Sequence, residues 1–147
     1  MRMSLLASFE IPLLPVAAVR PKVTRWNTYY PGAYGTYLPE ARAWMSEYWK
    51  DPALLGAVAV TLEFVMPRPK SHYRSGRNAH LVKDDAPVMP HQDIDNLVKG
   101  ALDVMTGRVY EDDRQVYEVT ARKVYGADGC TVVEIREASP KASPPVP

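Results

Sequence analysis

Between His91 and Asp113 the chain reads HQDIDNLVKGALDVMTGRVYEDD, which sets Asp93, Asp95, Asp103, Glu111, Asp112 and Asp113 around one lysine, Lys99. Asp93 and Asp95 are two residues apart, so in extended chain leading into a helix their carboxylates point the same way. Carboxylates aimed at one point repel each other unless a proton or a cation lies between them. A hard divalent ion with oxygen ligands, magnesium or manganese, relieves that repulsion. Lys99 adds a fixed positive charge one turn further on, suited to a phosphate oxygen or to the negative charge that builds up in phosphoryl transfer. Glu111, Asp112 and Asp113 follow a glycine turn and precede a strand, so the chain can fold back and bring another carboxylate to the same point.

The element that must position these groups is a helix. The apolar spacing and the terminal Gly107 predict one from about Asp95 to Thr106. At about 100° per residue, Leu97, Val98, Ala101, Leu102, Val104 and Met105 fall within an arc of about 160°, the buried face. Asp95, Lys99 and Asp103 form a single stripe on the opposite side. Each residue also has a plainer role: Asp95 or Asn96 as a cap, Lys99 and Asp103 as a surface i,i+4 pair, Asp112 and Asp113 as turn formers. Taken jointly they argue for a site. An EF-hand is excluded, because Leu97 and Val98 stand where its loop needs a ligand and a glycine.

Around this helix the chain predicts a small α/β (α+β) domain. Ser8 to Leu14 reads as a first strand. VRPKVTRWNTYYPGAYGTY (19–37) reads as an ordered loop carrying Arg20, Lys22 and Arg25 beside Trp26 and four tyrosines, a mixture able to stack on unpaired bases and bind phosphates. A helix is expected from Pro39, with Ala41, Trp44, Met45, Tyr48 and Trp49 as its buried stripe. AVAVTLEFVM then alternates as a half-buried strand, with Val58, Val60, Leu62 and Phe64 on one face. RPKSHYRSGRNAHLVK supplies Arg68, Lys70, Arg74, Arg77 and Lys83 with no acidic residue before Asp84, which favours phosphate contacts. His72 and His80 match no zinc-ligand spacing. Val116 to Tyr125 and Thr131 to Arg136, separated by GADG, read as a hairpin. The last residues, 139–147, are a proline-rich tail expected to be disordered.

With 147 residues and 46% hydrophobic composition, one domain (residues 1–138) with its own core is expected. A single cysteine, Cys130, excludes an internal disulfide and a cysteine zinc site and suits a reducing compartment, so a cytoplasmic protein is expected. Pro12 and Pro15 interrupt the apolar stretch from Ile11 to Val19 and argue against a signal peptide. No run is long enough for a bilayer. The net charge of +1 conceals an asymmetry: residues 1–83 hold 11 Lys+Arg against 5 Asp+Glu, and residues 84–147 hold 7 against 12. Basic residues that grip a polyanion while carboxylates work on it would produce such a split.

DIDNLVKGALD, then VMTGRVY, then EDDRQV, resembles the two-part motif of the RusA-like Holliday junction resolvases. The likeness is close from Asp93 to Val116 and looser in RPKVTR and PRPKSHYRSGRNAH. It implies a magnesium-dependent, homodimeric endonuclease that binds four-way DNA junctions and nicks two opposing strands, manganese being able to substitute. It further implies a mixed sheet of about four strands with two main helices. By the same resemblance Asp93, Asp95 and Asp113 are metal-binding catalytic carboxylates, Lys99 is an essential lysine, and Asp103 is a supporting acid. The choice between Asp112 and Asp113 stays open, because the linker after Asp103 varies in length. Where some members carry arginine before the first aspartate, this chain has Gln92, so Arg77, Lys83 or the N-terminal loop must replace that phosphate contact. Arg25, Arg68, Lys70, Arg74, Arg77 and Lys83 are the expected DNA-binding residues. A nuclease of flaps or other branched DNA, and a junction-binding protein without catalysis, are the alternatives.

Overall fold

The computed structural model describes residues 3–138; the proline-rich tail expected at 139–147 lies outside them. In chain order the elements are β1 (Met3–Ile11), a short β2 (Lys22–Val23) and β3 (Thr28–Tyr29), α1 (Gly32–Tyr48), β4 (Val58–Met66), α2 (Ile94–Met105), β5 (Val116–Tyr125) and β6 (Cys130–Ala138). Four strands form one mixed sheet in the order β1-β6-β4-β5, and β2 pairs with β3 as a separate two-stranded ribbon. The fold is thus the expected α+β arrangement of four strands and two helices. β6 runs antiparallel to both β1 and β4, whereas β4 and β5 are parallel. A parallel pair cannot be joined by a tight turn. The connection from β4 to β5 is therefore long, and α2 lies within it.

The alternation read in the fourth strand is present from Val60 on: Val58, Val60, Leu62 and Phe64 are buried, Thr61 and Glu63 are half-buried on the other side, and Ala59, expected on that side, is buried as well. Phe9, Ile11, Val133 and Ile135 extend this apolar face across β1 and β6. Tyr34, Tyr37, Leu38, Ala41 and Met45 of α1 and Leu97, Ala101, Val104 and Met105 of α2 close the core against it.

Three boundaries differ from the sequence expectation. β1 begins five residues earlier than Ser8 and stops at Ile11, because Pro12 has no N–H to continue the ladder. α1 starts at Gly32, not Pro39, and carries Pro39 inside it. Pro39 removes one helical hydrogen bond, but Tyr34, Tyr37 and Leu38 are all buried, and that packing holds the early turns in place. Of the expected stripe, Ala41, Met45 and Trp49 are buried, and Tyr48 remains half exposed, stacked on Trp44 with ring centroids 5.0 Å apart.

The expected hairpin of β5 and β6 is not formed: β4 lies between the two strands. Two strand spacings are about 10 Å, within reach of the four linking residues, and the link passes over the end of β4, where the Gly126 N–H donates to Met66 O (2.9 Å). The two glycines of GADG mark close approach and not a tight turn. A Cβ on Gly126 would lie 2.4 Å from Val65 Cγ1, and one on Gly129 3.0 Å from Leu14 Cα.

Candidate active site

α2 runs one residue ahead of expectation, from Ile94 to Met105, with Asp93 at the N-cap and Thr106 at the C-cap. Gly107 follows with φ +85°, the left-handed backbone that a glycine tolerates and that ends helices. An aspartate at the N-cap ordinarily accepts a hydrogen bond from the first turn. Asp93 makes none. Asp93 and Asp95 are both exposed and enter no ion pair among the described residues. Their charges at the positive end of the helix are favourable in themselves.

Lys99 pairs with Asp103 one turn on, but this is not a wet surface pair, because the Asp103 side chain is only 14% exposed. Its Oδ1 accepts from Lys99 Nζ, and its Oδ2 accepts from the Tyr34 hydroxyl of α1 at 2.7 Å. Arg42 Nε donates to the backbone carbonyl of Asp103 at 3.2 Å. Burial, and then the hydrogen bond to Asp103, push the Tyr34 phenol far above its ordinary range, so it stays a donor. Asp103 is thereby held by a second helix, and its remaining oxygen faces the lysine.

The segment after β1 crosses α2. Ala18 N–H donates to Asn96 O (2.9 Å), and a Cβ on Gly100 would stand 3.0 Å from Val16 O. This crossing walls a cavity of about 360 Å³ lined by Arg20, Pro21, Tyr30, Asn96, Lys99 and Asp103, among others. Just before the helix start, Lys123 of β5 donates to Gln92 O at 2.6 Å and fixes the entry to Asp93.

Asp112 and Asp113 stand differently in the turn Asp113–Gln115. Asp112 caps it, accepting from Arg114 N–H (2.9 Å) and Arg114 Nε (3.2 Å), which holds its carboxyl below the usual range. Gln115 pins the same turn from within. Its Oε1 accepts from the N–H groups of Glu111 and Asp112, and its Nε2 donates to Leu54 O and Gly56 O. Asp113 is left exposed and outside any ion pair among the described residues.

The expected convergence of three carboxylates on one ion is not assembled: among the described residues no three His, Cys, Asp or Glu side chains come together as a metal-holding group. Burial above all pushes the Tyr110 phenol up, and the charges of Asp113 and Asp103 add to it. That hydroxyl donates to Leu102 O near the C-terminal end of α2, the end opposite Asp93. The uncommitted oxygen donors at Asp93 and Asp95 nevertheless suit magnesium, which is held by one or two carboxylates with water and phosphate completing its shell.

The cationic residues divide into two groups. Arg68 lies 4.3 Å over the Tyr125 ring and donates to Pro87 O (2.7 Å), tethering its loop to the end of β5. Arg74 pairs with Asp84 at 3.0 Å. Arg25, Lys70, Arg77 and Lys83 form no ion pair among the described residues. Arg42 and Lys123 carried no signal in the sequence, and Tyr34, read there among tyrosines able to stack on bases, is instead buried against Asp103, because each meets the site across a long chain separation.

The site thus holds free carboxylates at a helix start, a lysine paired with a nearly buried aspartate, and four basic residues outside any ion pair among the described residues. The family model described as Endodeoxyribonuclease RusA matches residues 12–136, and the chain belongs to that family of Holliday junction resolvase nucleases. It is similar to the uncharacterized protein YqaN of Bacillus subtilis (strain 168), 30% identical over 96 residues, 64% of this chain and 67% of that protein. Among the described residues no helix is long and apolar enough to cross a membrane.

Proposed function

We propose that this chain is a magnesium-dependent endonuclease that acts as a homodimer on four-way DNA junctions and nicks two opposing strands. The observation that carries this reading is the free state of Asp93 and Asp95 on the helix whose Lys99 is oriented by Asp103 and Tyr34. Asp93 and Asp95 hold the ion, with manganese able to substitute, and Asp113 is the third carboxylate of the motif. When bound, the ion supplies an activated water and charge stabilisation at the phosphate. Lys99 neutralises charge on the phosphate in the transition state, and the pair Asp103–Tyr34 keeps its ammonium in place. Arg25, Lys70, Arg77 and Lys83 bind backbone phosphates, with Arg68 and Arg74 shaping the loop between them. Binding is therefore steeply salt-dependent. Two-fold symmetry presents two sites to two symmetric strands.

The test is a labelled synthetic four-way junction incubated with the purified protein, with and without magnesium, followed by mapping of the nicks. Paired nicks that need the ion are expected, and Asp93→Asn abolishes them while leaving junction binding largely intact. Comparable cutting of flaps, linear duplex and four-way junctions would defeat the junction-resolving reading, and cutting of flaps and junctions but not of linear duplex would assign the protein to branched DNA in general. Titration with magnesium that detects no binding to the wild type would leave only a junction-binding role.

A further inference from the structure

The ribbon of β2 and β3 is too small to have a core, yet its tip carries the most exposed aromatic ring among the described residues. Trp26 is 85% exposed and Val23 78%. A tryptophan left in water forgoes a large burial free energy, so its position calls for a partner. Thr24 fixes the tip. Its N–H donates to Asn27 O (2.8 Å), and its Oγ1 accepts from the N–H groups of Trp26 and Asn27. These bonds hold the backbone that carries Trp26.

Charge says what the partner is. From Ile11 to Pro39 there is no acidic residue, whereas Arg20, Lys22 and Arg25 flank the tip, and Arg25 lies 5.2 Å over the Trp26 ring. None of the three enters an ion pair among the described residues. A flat ring bordered by unneutralised cations matches a nucleobase with its phosphates, since stacking serves the base and the cations its backbone. The location agrees: Arg20 and Pro21, which lead into the ribbon, line the cavity shared with Lys99 and Asp103.

We infer that the β2–β3 tip is a stacking probe that engages an unpaired base of branched DNA beside the active site, with Trp26 as the ring and Lys22 and Arg25 as phosphate contacts. This rests on the DNA-directed reading above and adds the element that distinguishes branched from continuous duplex.

The test compares wild type, Trp26→Ala and Trp26→Phe without divalent ions, on a four-way junction carrying 2-aminopurine at the crossover and on a linear duplex of the same arms. Trp26→Ala should bind the junction roughly 5- to 150-fold more weakly, with duplex binding unchanged and quenching of the crossover probe lost. Trp26→Phe should restore most of both. Because the side chain is exposed, folding is unaffected. Unchanged junction affinity, or an equal loss on junction and duplex, would overturn the inference, as would binding to phosphatidylserine vesicles that depends on Trp26 while DNA binding does not. Wild type that binds neither DNA would overturn the DNA-directed reading itself.

Discussion

The Tyr34–Asp103 contact joins the two helices through a buried donor and a nearly buried charge, and its contribution can be isolated by a double-mutant cycle. Tyr34 is 1% exposed, and its hydroxyl donates to Asp103 at 2.7 Å. A hydrogen bond to a charged group contributes roughly 1.5–3 kcal/mol, and a buried hydroxyl left without an acceptor costs roughly 1–3 kcal/mol. The Lys99 partner is half exposed, so its share is about 0.5 kcal/mol or less. Asp103→Ala should therefore destabilise by about 3 kcal/mol and Tyr34→Phe by about 1.5 kcal/mol. In the background of Asp103→Ala, Tyr34→Phe should be close to neutral or stabilising, because it removes the orphaned hydroxyl. The coupling expected between the two positions is about 2 kcal/mol. Equilibrium urea unfolding of the four proteins measures it. Single costs that add to within about 0.5 kcal/mol would refute the contact as an energetic link.

Asp103→Asn can still accept from Tyr34 but cannot pair with Lys99, so stability should largely survive while junction cleavage falls, as read by urea unfolding beside a nicking assay. Gln115→Ala removes hydrogen bonds to four backbone groups and should cost roughly 2–4 kcal/mol, with loss of nicking because the turn carrying Asp113 is released. Gly35→Ala should destabilise in thermal melts although alanine is the better helix former by about 1 kcal/mol, because its Cβ would stand 2.1 Å from Tyr30 O. The Tyr34, Tyr37 and Tyr110 phenols are all pushed up by burial, Tyr37 to about 12. Their stabilisation is complete below pH 10 and is lost above it as the unfolded chain ionises first. Circular dichroism melts should show stability falling by about 1.4 kcal/mol per pH unit for each such tyrosine, and a flat profile from pH 9 to 12 would contradict the burial.

What could be read from sequence divides by chain separation. α2 and its stripe of Asp95, Lys99 and Asp103 were legible because helical spacing is a local property, and the alternation of β4 was legible for the same reason. Strand order was not. β5 and β6 look like a hairpin because propensity and a glycine-bearing link are local signals, whereas the insertion of β4 between them depends on its more complete burial and on pairing with residues about 70 positions away. The start of α1 was hidden by Pro39, whose local cost is outweighed by three buried side chains. That Asp112, and not Asp113, caps the turn was not legible, because the turn depends on how Gln115 reaches Leu54 and Gly56.

The same separation explains why the site's supporting groups come from elements without any motif. Asp103 receives Tyr34 from 69 residues away and Arg42 from 61, and both lie on α1. One carboxylate oxygen is taken by the tyrosine and the other by Lys99, so the direction of the ammonium follows the packing of α1 on α2. That packing rests on buried side chains such as Ala41, Met45, Leu97 and Ala101. A close-packed contact of this kind transmits a change of even one methylene. Core substitutions there should reach Lys99 through Asp103 without touching DNA, which ties the chemistry of an exposed helix face to the interior behind it.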